Sequence, residues 1–227
     1  MSRYLIAHYT PTAMFSLKDS QATNAAGKTL LVPSPYAVKM ALLDVAARWQ
    51  GLEFAKSVFV WLKAIELRPS PPEFACVTNA FIKIQRPPKN PEPNEPFKPT
   101  IAFREYAQFQ GELRLAFEIS NLTPDTLDTL KALLLRINYF GKRGSFMQPT
   151  ELSELEQLDA SFVTFPGDQK TSSGSVLHYL DDFGTKMTWD KLDVFHKDKP
   201  DRTTQPGLLP YKLKRSSKRS SLYERLV

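Results

Sequence analysis

Apolar positions recur along this chain with two periods, and the switches between them mark out its elements. Residues 3–9 (RYLIAHY) place Tyr4, Ile6 and His8 on one face and Leu5, Ala7 and Tyr9 on the other. Both faces are largely apolar, which predicts a central strand. Residues 10–33 lack periodicity and read as a long connection, of a kind that often carries function. It contains Lys18, Lys28 and the small-residue run from Ala22 to Gly27. Ser34 followed by Pro35 is a helix start, a capping hydroxyl before a ring suited to the first turn. Tyr36, Met40, Leu43 and Ala47 follow at helical spacing, so a helix is predicted over 35–49, with Gly51 as its stop. Phe54, Val58, Trp61, Leu62 and Ile65 predict a second helix over 52–66.

Pro69, Pro71 and Pro72 break that helix. Residues 74–85 (FACVTNAFIKIQ) suit a strand. Residues 86–99 (RPPKNPEPNEPFKP) hold six prolines and read as an exposed excursion. Strands are expected at 100–109 and 112–120, turning near Gly111, with Leu113, Leu115, Phe117 and Ile119 on the buried face. Thr123-Pro124-Asp125 starts a third helix, reaching about residue 138 with Leu127, Leu130, Leu134 and Ile137 as its stripe. The acidic stretch 151–158 reads as an edge or a short turn and 159–165 as a strand. Residues 167–175 are polar and loose. Short strands at 176–180 and 192–196 form a final hairpin before a basic tail. The order predicts an α+β fold: an RRM-like or ferredoxin-like antiparallel sheet with helices on one face and a long β-hairpin insertion.

Composition narrows the classes. The chain has 227 residues, 42% hydrophobic and 11% aromatic, enough for a core and too apolar for a disordered chain. Nine Gly against 18 Pro argue against glycine-rich phosphate-loop architectures. No run is long and apolar enough for a membrane span, the start lacks a cleavage site, and the single Cys76 excludes a disulfide framework. A cytoplasmic protein without membrane contact is expected. The net charge is +6, and residues 211–227 hold six Lys or Arg against one Glu. A basic end suits a polyanion, most simply nucleic acid; the alternative is a solvated tail.

The segment Tyr139-Phe140-Gly141-Lys142-Arg143-Gly144-Ser145-Phe146 is the most distinctive chemistry. Its glycines permit a tight turn, Lys142 and Arg143 supply charge, Ser145 a hydroxyl, and Phe140 and Phe146 stacking faces. It is not a Walker loop, and it follows a helix rather than a strand. The alternative is a surface turn with a basic tip. His8, His178 and His196 show no catalytic or metal-ligand spacing. Asp181, Asp182, Asp190 and Asp193 read as a cation cluster or as loop solvation, and Cys76 as a buried thiol. No cofactor and no metal site are expected.

The "PSPYAVKMALLDVA" helix and the "YFGKRGSFMQ" turn, after an N-terminal strand and a long loop, resemble the Cas-five family of CRISPR-associated proteins. These are RAMP-superfamily subunits of type I Cascade surveillance complexes in antiviral defence. The resemblance covers about residues 1–165, and residues 166–227 match no motif. It implies a non-catalytic RNA-binding subunit that caps the 5′ handle of the crRNA, the guide RNA. It implies contacts to the Cas-seven backbone subunit and the Cas-eight large subunit, with target DNA engaged indirectly. It also implies an RRM-like palm over 1–165 whose thumb hairpin spans about 73–110, and a C-terminal extension over 166–227 ending in the basic tail. Candidate RNA contacts are then Lys28, Lys39, Lys83, Arg86, Lys89, Lys98 and Arg104, with Gly141, Lys142, Arg143, Gly144, Ser145 and Phe146 as a cradle. Met14 and Phe15 are candidates for a handle base or a partner. Two other readings stand beside this one. One is a metal-independent endoribonuclease that processes the precursor, with His8 and Tyr9 as its cheapest pair. The other is a protein-interaction domain that binds no RNA.

Overall fold

The first apolar segment forms strand β1 (Tyr4–Pro11), and a neighbour pairs with each of its edges, as its two apolar faces require. The structure is a computed structural model that describes residues 2–22, 27–90, 92, 94–168, 176–193 and 195–226. Helix α1 (Pro35–Gln50) begins as expected: the Ser34 hydroxyl accepts from the Ala37 N–H and satisfies a donor with no partner inside the helix. Helix α2 (Leu52–Leu62) ends before residue 66, because Lys63 and Ala64 turn the chain and lead the buried Ile65 into strand β2 (Leu67–Ser70). That strand was not expected among prolines. It lies at the sheet's edge, where a residue without an N–H is tolerated.

Strands β3 (Phe74–Arg86) and β4 (Lys98–Gln110) pair without interruption from Phe74 opposite Gln110 to Arg86 opposite Lys98. Strands β3 and β4 are therefore the two arms of one long hairpin, with Pro91 and Pro93 of the proline-rich stretch outside the described residues. Strand β5 (Leu113–Glu118), helix α3 (Pro124–Leu134) and strand β6 (Met147–Leu155) follow. Helix α3 stops at Leu134 rather than near 138. The acidic residues 151–155 belong to edge strand β6.

The first sheet has the order β2-β5-β1-β6, with every pair antiparallel and helices between β1 and β2 and between β5 and β6. This is the ferredoxin-like βαββαβ arrangement, with the β3–β4 hairpin set between its second and third strands. Leu113, Leu115, Phe117 and Ile119 all face the main core. Each such burial contributes roughly 1.5–3 kcal/mol. A smaller core of Ile6, Ala116 and Phe162 covers the sheet's other face. The expected strand at 159–165 is instead irregular, with one bridge from Thr164 to Leu208. It looks like a strand in sequence because Phe162 and Val163 enter opposite cores.

Strand β7 (Val176–Phe183) pairs with β8 (Arg202–Leu209), an unexpected partner. Residues 192–196 are not a strand: a single 3-10 turn spans Asp190–Leu192 and bends follow, with Val194 outside the described residues. Residues 23–26 of the small-residue run and 169–175 of the polar stretch also lie outside them. The basic end is a correction. It folds as strands β9 (Tyr211–Ser216) and β10 (Ser220–Arg225), and β10 pairs with β3 in a second sheet ordered β4-β3-β10-β9. The buried Tyr211 anchors it by donating its hydroxyl to the Pro72 carbonyl at 2.7 Å, and Glu224 ties β10 to β9 through Lys214 at 3.0 Å and Lys212 at 3.3 Å. No described helix is long and apolar enough to cross a membrane.

Candidate nucleic-acid interface

The glycine segment forms a tight turn whose neck is the bridge between Tyr139 and Phe146. Gly141 has φ +70° and Gly144 φ +102°, conformations that side chains disfavour. A Cβ on Gly141 would also lie 2.7 Å from Leu17 Cδ1. Gly141→Ala is therefore expected to cost about 1 kcal/mol, the left-handed penalty, since the tip of Leu17 can move. A shifted urea midpoint with unchanged slope is the check.

The segment 12–16 threads beside this turn. Thr12 N–H donates to the Phe146 carbonyl at 3.1 Å, and Ser16 N–H donates to Ser145 Oγ at 3.1 Å. Phe15 exchanges both backbone bonds with Ala107 at 2.8 Å, and the Ser16 hydroxyl donates to the Glu105 carbonyl. The turn, the 12–16 segment and the base of the β3–β4 hairpin are thus brought together.

This assembly divides the expected contacts. Lys142 and Arg143 project into solvent without an ion-pair partner among the described residues, and Phe146 is 46% exposed beside them. Ser145 is buried and spends its oxygen on Ser16, so it shapes the turn rather than facing a ligand. Phe140 is buried edge-on against Tyr9, with ring centroids 5.0 Å apart. Met14 is exposed, whereas Phe15 is buried against Phe109 and cannot reach a ligand or partner.

On the hairpin, Lys83, Arg86, Lys89 and Lys98 are exposed, and Lys98 pairs with Glu95 at 2.9 Å. Arg104 is half-buried, and its Nε lacks a hydrogen-bond partner among the described residues. One face of the hairpin is apolar and open. Phe81 (55% exposed) lies opposite Phe103 (51%), and Lys83 lies opposite the exposed Ile101. Sequence reasoning missed this Phe103–Ile101 half, because alternation alone does not say which face stays uncovered.

Lys28 is exposed in the connection, but Lys39 is not an interface residue. Its side chain is 1% exposed, and Nζ donates to Asp182 at 2.8 Å and to the Lys63 carbonyl at 3.3 Å. Burial pushes its pKa below the ordinary value, and Asp182 opposes that shift. Helical spacing put Lys39 on α1, but β7 covers that face. Asp182 is thereby explained as its partner. Asp181 accepts from the Ser20 and Thr204 hydroxyls and forms an ion pair with Arg202 at 3.7 Å. The described residues hold no group of three or more His, Cys, Asp or Glu able to bind a metal ion. Cys76 is free and half-buried.

His8 and Tyr9 do not form a pair. They alternate on β1, and the Tyr9 hydroxyl is buried on the Leu134 carbonyl. Both ring nitrogens of His8 are engaged, Nδ1 with Glu112 at 3.0 Å and Nε2 with Ser153 at 2.9 Å. The hydrogen bond from His8 holds the Glu112 carboxyl below its usual range.

Comparison with known proteins gives one curated relative, a CRISPR-associated protein Cas5 from Archaeoglobus fulgidus. It is 29% identical over 189 residues, 81% of each chain. Among solved structures, a CRISPR protein from Archaeoglobus fulgidus aligns over 99% of this chain and 92% of its own, with a TM-score of 0.46 and 12% identity. No protein-family model matches the chain. The sequence match spans four-fifths of both chains, and by it the protein is similar to a CRISPR-associated Cas5 protein.

Proposed function

We propose that this chain is a non-catalytic RNA-binding subunit of a type I CRISPR effector complex, Cascade, that caps the 5′ handle of the crRNA. The observation that carries the reading is the assembly at the glycine turn. Lys142, Arg143 and Phe146 stand exposed on a turn locked to the 12–16 segment and, through it, to the base of the long hairpin. Unpaired cations beside an open aromatic ring suit a single strand, whose phosphates take the charge and whose bases stack. On this reading the hairpin is the thumb, and the rest of residues 1–165 is the palm. The open Phe81–Phe103 face and Lys83 lie against RNA or the Cas-seven subunit, and the Cas-eight subunit and target DNA are reached through the complex. The non-catalytic form is favoured by His8, whose ring nitrogens both already have partners.

The test is purification from cells that also express the neighbouring genes, followed by sequencing of the bound RNA. A stable multi-subunit particle carrying one small RNA with a shared 5′ end is the expected result. A chain recovered alone and free of RNA overturns the proposal.

A further inference from the structure

Beyond the glycine turn, two clefts open side by side. The first, about 580 Å³, is lined by Gly141, Tyr139, Tyr36, Lys18 and Arg202. The second, about 630 Å³, is lined by Lys28, His178 and the turn between β9 and β10, with Lys218 and Arg219 at its tip. Both clefts share Tyr179 and Asp19. Tyr179 is 42% exposed, so its ring is open where the clefts meet. The first cleft begins at the glycine turn, so a continuous path runs from Gly141 past Tyr179 to Arg219.

The charges along this path are unequal in availability. Lys18, Lys28, Lys218 and Arg219 are exposed and have no ion-pair partner among the described residues. The carboxylates are already engaged. Asp44 binds Arg48 and the Tyr139 hydroxyl, and Asp181 accepts from Ser20 and Thr204 and forms an ion pair with Arg202 at 3.7 Å. Glu105 accepts from the Thr29 N–H, and Asp19 accepts from the Gln21 N–H. Arg48 and Arg202 thus offset Asp44 and Asp181, while Glu105 and Asp19 keep their charge and are outnumbered by Lys18, Lys28, Lys218 and Arg219. Burial holds His178 down to about pKa 4, so at neutral pH it offers a flat uncharged ring. The Arg202 guanidinium, 3.9 Å from the Tyr36 ring centroid, gives the first cleft a planar charged wall.

We infer that these two clefts form one track for single-stranded RNA, which leaves the glycine turn, stacks at Tyr179 and ends on the β9–β10 turn. The inference rests on the RNA-binding reading above and extends it to the C-terminal hairpin. An open aromatic ring between two sets of free cations is the pattern that holds an unpaired strand, whereas a duplex buries its bases and cannot use the ring. This gives the C-terminal basic segment its purpose: pairing of β10 with β3 fixes Lys218 and Arg219 at the far end of the path.

The test measures binding of the full chain to a labelled single-stranded RNA of mixed sequence across a range of salt. Lys218→Ala with Arg219→Ala should weaken binding about tenfold and flatten the slope of log K against log salt by about 1.4. Tyr179→Ala should weaken binding severalfold with an unchanged slope, and Tyr179→Phe should restore it. Photo-crosslinked peptides should include residues 177–179 and 217–220. All these side chains are exposed, so the variants fold. If the 218/219 and Tyr179→Ala variants bind like the parent while a Lys142→Ala/Arg143→Ala variant does not, the track falls and the glycine-turn site stands. A duplex DNA that outcompetes the single strand also overturns the track. A parent chain with no RNA affinity overturns the RNA-binding reading, and the track with it.

Discussion

Lys142→Ala combined with Arg143→Ala is expected to lower affinity for guide RNA by roughly 10- to 100-fold at about 0.1 M salt. Each charge-assisted contact contributes about 1.5–3 kcal/mol when fully made, and solvent at this exposed turn reduces that. Loss of two phosphate contacts from a single strand should flatten the salt dependence by about 1.4 in log–log slope. Stability should not change, because both side chains are exposed and neither has an acidic partner among the described residues. Titrations of labelled RNA at several salt concentrations, beside a urea melt, separate the two effects. Unchanged affinity would remove the glycine turn from the interface, and a shifted melt would mean that the turn had been misread as a free surface.

The second large effect is on folding. Asp182→Ala leaves the Lys39 ammonium, 1% exposed, with the Lys63 carbonyl at 3.3 Å as its one hydrogen-bond acceptor among the described residues, beside the Phe183 ring 5.6 Å away. Removing one partner of a buried pair costs about 3–5 kcal/mol, and the low end applies because Asp182 is itself 28% exposed. Adding Lys39→Met, of similar length and uncharged, should recover most of that loss. The pH dependence has a definite sign. Burial lowers the Lys39 pKa in the folded state, so between that value and 10.5 the unfolded chain binds more protons. Stability therefore rises with pH in that window. The Asp182→Ala defect should shrink as pH approaches 10.5, because Asp182 no longer opposes the shift. A defect that survives Lys39→Met, or that ignores pH, would mean that Asp182 acts through something other than the ion pair.

Local signals in the chain specify different things from distant ones. The α1 start at Ser34-Pro35, the buried alternation of β5 and the tight turn at Gly141 and Gly144 were all legible. Each rests on physics confined to a few neighbouring residues: a cap, a period of two, a positive φ. Lys39, Phe15 and Ser145 depart from the sequence expectation for the opposite reason. Nothing adjacent to them says that β7 will cover α1, that β4 will seat Phe15 beside Phe109, or that Ser16 will take the Ser145 oxygen. The segment 159–165 looked like a strand because its alternate residues serve two cores, which produces the same period as a sheet with two faces.

The sequence by itself determined the α+β class, the ferredoxin-like element order, the long hairpin and the exposed basic turn, because local backbone preferences and amphipathic periods encode them. It also carries the likeness to a CRISPR-associated Cas5 protein, which extends over four-fifths of the chain. Tertiary structure alone decided which cations are free and which are buried. It alone turned the basic end from a tail into strands on β3, and it alone joined the glycine turn to the C-terminal hairpin through Tyr179. Those outcomes depend on pairings between residues far apart in the chain, whose partners no local pattern names.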